Sequence, residues 1–97
     1  MALNYNEQLG RAFEQFRDTL VESVNSNPLV DRLYVGKVLD ETQRDELAAI
    51  SERSVKTARL LEMLYAGRHP RTFVELRHSL QANEANRWLV DEIDRRQ

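Results

Sequence analysis

Ninety-seven residues are enough for one domain with a real hydrophobic core and too few for two. Acidic side chains outnumber basic ones 16 to 14 for a net charge of −2, which disfavours a general nucleic-acid binder, because phosphate contacts need concentrated positive charge. With no cysteine, disulfide scaffolds, thiolate metal sites and cysteine nucleophiles are excluded, and no apolar run approaches the roughly 18 to 20 residues that cross a bilayer. Met1-Ala-Leu-Asn-Tyr5 has no charged-then-apolar secretory pattern, so the expectation is a soluble cytoplasmic domain over residues 1–97, with a structured core of about 7–94 and no membrane contact.

From Glu7 to Val24, Leu9, Ala12, Phe13, Phe16, Leu20 and Val24 recur at helical spacing and predict one long first helix, weakened near Gly10 by about 1 kcal/mol relative to alanine. Asn25-Ser-Asn-Pro28 predicts a turn, and Pro28 suits the first position of a second helix that buries Leu29, Val30 and Leu33 and stops at Gly36. Asp40-Glu-Thr-Gln43 has the spacing of a capping box, which starts a third helix near Thr42 with Leu47 and Ile50 inward.

Ser54 to Gly67 reads as the central helix, capped by Ser54. Val55, Ala58, Leu61 and Tyr65, widened by Leu60 and Leu64, face inward, and Gly67 takes the left-handed turn at the end. Pro70 opens a fifth helix on Phe73, Leu76 and Leu80, closed by Gln81-Ala-Asn83. A sixth, over about Glu84 to Asp94 and capped by Asn83, buries Ala85, Trp88, Leu89 and Ile93. No segment alternates with period two, and short connections between helices predict an all-α, compact antiparallel six-helix bundle.

Catalytic signatures are missing from this pattern. His69 and His78 stand nine apart without partners at metal spacing, Ser79 and Glu75 do not form a triad with His78 on one helix, and no glycine-rich phosphate loop occurs. The expectation is no enzyme, no metal and no cofactor.

Several runs carry a resemblance. Arg17-x-x-Leu-Val21 lies in the first helix, and Gly36-Lys-Val-Leu39 leads into an acidic third helix. Ala58-Arg-Leu-Leu-Glu-Met-Leu64 is followed by a glycine and then by Phe73-Val-Glu-Leu-Arg-His-Ser-Leu80. From about Leu9 to Ile93 the chain resembles the caspase recruitment domain (CARD) of the death-fold superfamily. Ala12-Phe-Glu-Gln-Phe-Arg17 and Lys37-Val-Leu-Asp-Glu41 look most like CARDs of adaptors and coiled-coil scaffolds that activate NF-κB signalling. Gly67-Arg-His-Pro70 departs from the shorter turn of many members.

The resemblance implies homotypic binding to other CARD-containing proteins or to further copies of the chain, with filament assembly or recruitment in apoptotic or inflammatory signalling. It implies that a basic surface on the first and fourth helices meets an acidic one on the second and third. The chain carries Arg17, Arg53, Lys56 and Arg59 on the former, and Asp31, Asp40, Glu41, Asp45 and Glu46 on the latter. Opposite charge on two faces allows head-to-tail contacts that propagate when the rotation does not close. Three alternatives stay open: ordinary solvated helix faces, a nucleic-acid-binding surface made by Arg53, Lys56, Arg59 and Arg68, and a monomeric decoy with one binding face.

Overall fold

Apolar residues spaced three and four apart produce helices along the whole chain. The computed structural model describes residues 4–67 and 69–96, and among these every regular element is helical. The elements are α1 (Tyr5–Gln15), α2 (Arg17–Ser23), α3 (Asn27–Val35), α4 (Glu41–Ala48), α5 (Arg53–Ala66), α6 (Thr72–Ala82) and α7 (Arg87–Arg95), with a 3-10 turn over Glu84–Asn86 before α7. The all-α expectation holds, with seven α-helices among the described residues in place of six. Arg68, which begins the predicted break before Pro70, lies outside them.

The extra helix comes from a break inside the predicted first one. At Phe16 the backbone leaves helical geometry (φ −105°, ψ 10°), and its N–H turns to the Phe13 carbonyl at 3.1 Å. Neither proline nor glycine stands there. Tertiary contacts hold Phe16 instead: its ring meets the edge of Trp88 at 6.5 Å, and the Arg96 guanidinium lies 4.9 Å from its centroid.

Seven helices share one core, built around fully buried Leu9, Phe13, Leu33, Leu47, Leu60, Leu76, Leu80, Leu89 and Ile93. Ile50 packs against it from just beyond α4. The organising role predicted for α5 is divided. α5 packs on α2 and α4, whereas α6 packs on α1, α3 and α7.

The buried stripe of α5 is also rotated from the predicted one. Thr57, Leu60, Leu61, Met63 and Leu64 face inward, while Val55 is 48% exposed and Tyr65 sits at the edge. A threonine can take the inner position because its hydroxyl donates to the Arg53 carbonyl at 3.1 Å and lies 3.3 Å from that of Val24. Near α7, the 3-10 winding of residues 84–86 turns Asn86 inward and leaves Ala85 exposed. Trp88, predicted as core, is 48% exposed.

Some helix ends follow local chemistry and others do not. Asp40 and Gln43 form the predicted capping box, at 2.8 and 2.9 Å, although the helix starts at Glu41. Ser54 does not cap α5; Glu52 occupies that position, and the Ser54 hydroxyl donates to its carboxylate at 3.0 Å. Pro70 precedes α6 without opening it. The α6 terminus is capped from a distance: the Asn6 side-chain oxygen on α1 accepts the N–H groups of Phe73 at 2.7 Å and Val74 at 3.2 Å.

Gly67 is extended (φ −75°, ψ 164°), not left-handed. Among the described residues the left-handed one is Lys37, at φ 65°, two residues past the end of α3. Val38 N–H reaches the Leu33 carbonyl at 2.9 Å and Lys37 N–H that of Tyr34 at 3.0 Å, the paired bonds of a Schellman turn with lysine where glycine is usual.

Gly10 has a role that its helix propensity does not suggest. A Cβ there would stand 2.8 and 2.9 Å from two carbons of the Phe73 ring. That ring is confined by Phe13 at 6.3 Å and Tyr65 at 4.9 Å, so it has little room to yield. We therefore expect Gly10→Ala to lower stability by up to about 2 kcal/mol in urea denaturation, because overpacking of about 1 to 3 kcal/mol outweighs the helix-propensity gain of about 1 kcal/mol. Lys37→Gly should do the opposite. Relief of the left-handed backbone, less the added freedom of the unfolded chain, should raise stability by about 0.5 to 1 kcal/mol and the thermal midpoint by about 4 °C.

Candidate protein-interaction surface

Successive steps of three residues fall 60° short of a full helical turn, so Arg53, Lys56 and Arg59 wind around α5 and reach three different neighbours. Arg53 Nη2 donates to the Glu22 carbonyl at the end of α2 (2.8 Å). Lys56 Nζ donates to Asn27 Oδ1 at the start of α3 (2.8 Å). Arg59 Nε donates to Glu46 of α4, and its Nη1 to Glu62 one turn further along α5 (3.1 Å). Each of these cations thus fastens α5 to an adjoining segment or to itself.

Arg17 is separate from them. It opens α2, and its charge acts on Tyr65 near the far end of α5, whereas Arg53 meets the close of α2. Arg17 and the Arg53 contact therefore mark opposite ends of α2, about 8 Å apart along its axis for the five residues from Arg17 to Glu22. The four basic residues make a strip along the α2–α5 pair and not a single patch.

The acidic set is spread over α3, α4 and the cap between them. Asp40 is committed to the capping box, and Glu41 stands exposed in the first turn of α4. Asp45 lies 3.6 Å from Arg44, whose guanidinium covers the Tyr34 ring at 4.2 Å. Among the described residues, Asp31 and Glu41 hold no ion pair. Asp31 instead lines a cleft of about 480 Å³ between α3, α4 and α5, with Arg44 and Lys56 on its rim and Val30 and Leu47 beneath. The predicted basic and acidic faces therefore meet along a seam, at this cleft and at the Arg59–Glu46 pair.

Sequence reasoning missed three participants: Arg44 inside the acidic helix, Asn27 as the Lys56 acceptor, and Val35, 81% exposed at the end of α3. The spacing Arg59-x-x-Glu62 was the readable signal for a local pair, since i and i+3 adjoin on a helix. Of the four cations in the nucleic-acid alternative, Arg68 lies outside the described residues and the other three are engaged as above. His69 Nδ1 accepts the Arg71 N–H at 3.1 Å, and His78 is exposed.

Electrostatics follow these pairings. The hydrogen bond from Arg59 holds the Glu46 carboxyl below the usual glutamate range, against a smaller opposing effect of burial. Burial, then the Glu14 charge, pushes the Tyr65 phenol up, with Arg17 opposing. Its hydroxyl donates to the Gly10 carbonyl at 2.8 Å.

Comparison of the chain with protein-family models, with curated proteins and with solved structures gives no match.

Because the Glu46 carboxyl titrates low when folded, whatever its pair contributes is present above the ordinary glutamate range and is lost as pH falls through the lowered value. Arg59→Gln should return the Glu46 midpoint to the usual range in a carboxyl-detected NMR titration.

Proposed function

We propose that this chain is a CARD-type interaction domain of the death-fold class that works without catalysis or cofactor. It associates in the cytoplasm with further copies of itself or with other CARDs. Recruitment, or growth of a filament, then concentrates whatever is attached to it, in apoptotic or inflammatory signalling of the NF-κB type. The family reading rests on the sequence resemblance.

The observation that supports the mechanism best is how exposed charge is distributed over the helices. Asp31, Glu41 and Asp45 project from α3 and α4, while the basic strip of Arg17, Arg53, Lys56 and Arg59 runs along α2 and α5. Asp40 and Glu46 belong to the same acidic set by sequence, but each is already engaged within the chain. Opposite signs on different elements suit a heterologous contact, in which the strip of one copy meets the acids of the next. Single exposed pairs are weak and salt-screened, so several must act together.

Light scattering and negative-stain microscopy across a concentration series test this reading. Assemblies should form at low salt and dissolve as salt rises. Asp31→Lys or Asp45→Lys should raise the concentration needed for assembly by about tenfold or more, since like charges would then face each other. Circular dichroism would check that the helices persist. Unaltered association in both variants would sink the proposal, and a gain in polyanion binding alone would favour the nucleic-acid reading.

A further inference from the structure

We infer that Glu46 guards the basic strip instead of contributing to the acidic face, so that assembly requires Arg59 to exchange Glu46 for a carboxylate of the next copy. This rests on the homotypic reading above and assigns Glu46 the opposite sign of effect from Asp31 and Asp45.

The three α5 cations are not held alike. Arg53 and Lys56 donate to neutral oxygens, the Glu22 carbonyl and the Asn27 amide, which leave their charge uncancelled. Arg59 carries two carboxylates, Glu46 from α4 and Glu62 from its own helix. Its single positive charge is therefore outnumbered by carboxylates within the chain, Glu46 being the one drawn from another helix, and two of its five N–H donors are occupied. The pair is also within reach of a partner, with side chains 42% and 47% exposed. Exposed ion pairs exchange partners at small cost, so the guard sets a threshold for assembly and does not forbid it. Asp31, by contrast, holds no ion pair among the described residues, and Asp45 stands only near its sequence neighbour Arg44.

The test uses the full chain, as wild type, Glu46→Gln, Asp31→Asn and Asp45→Asn. Sedimentation velocity measures the concentration at which assembly begins, and water exchange of the Arg59 Nε–H, followed by ¹⁵N NMR on dilute samples, reports the pair itself. Glu46→Gln should lower the threshold by about two- to fivefold and speed that exchange, while the two aspartate variants raise the threshold. If wild type assembles and Glu46→Gln leaves the threshold unchanged or raises it, the guard is overturned and the homotypic reading stands. Equal Nε–H exchange in wild type and Glu46→Gln overturns the guard whether or not the chain assembles. If no form assembles at any concentration, self-association fails and takes the guard with it.

Discussion

Helix α1 and the Phe73 ring approach so closely that only a hydrogen atom fits between them, and the rest of the fold depends on that contact. At Gly10 the side chain is absent, the ring of α6 lies against the backbone, and the carbonyl of the same residue accepts the Tyr65 hydroxyl of α5. One turn earlier, Asn6 satisfies two N–H groups of α6. Three helices are thereby fixed to one another within a few residues, by packing and hydrogen bonds that would each be modest alone. With α1, α5 and α6 set, α2 and α4 fall against α5, and α3 and α7 against α6.

Charge is arranged around this frame with two competing uses. The cations of α5 connect it to α2, α3 and α4, yet they are also the ones that the proposed assembly would present to a neighbour. A carbonyl or amide acceptor orients a cation and leaves its field intact. A carboxylate removes the field. The difference between Lys56 and Arg59 is therefore one of availability, set by which atom accepts the hydrogen bond.

What could be read from the sequence was local. The Asp40–Gln43 box, the turn before Pro28 and the leucines of α5 and α6 depend on residues within a turn or two, and they appear where spacing puts them. What could not be read depends on distant partners. Asn6 caps a helix 67 residues away, and Phe16 breaks the first helix through contacts with Trp88 and Arg96. Thr57 displaces Val55 from the inner stripe because the Val24 carbonyl, at the close of α2 three helices earlier, helps to receive its hydroxyl. Among the candidate site residues, sign and helix were legible, but the meeting of Arg59 with Glu46 was not, because sequence separation of 13 residues carries no geometry. Gly67 and Lys37 show the same limit for backbone: composition favours glycine as the left-handed residue, and the turn after α3 imposes that conformation on a lysine.

The joint between α1 and α2 carries its own optical label. Trp88 is the single tryptophan of the chain, and its indole rests edge-on against the ring at which the first helix breaks, with one side in water. All tryptophan emission from this protein therefore originates at that joint. Undocking of α7, or straightening of the break, would change the polarity around the indole while leaving the α1–α5–α6 frame dark, so fluorescence distinguishes local opening of this end from loss of the whole bundle.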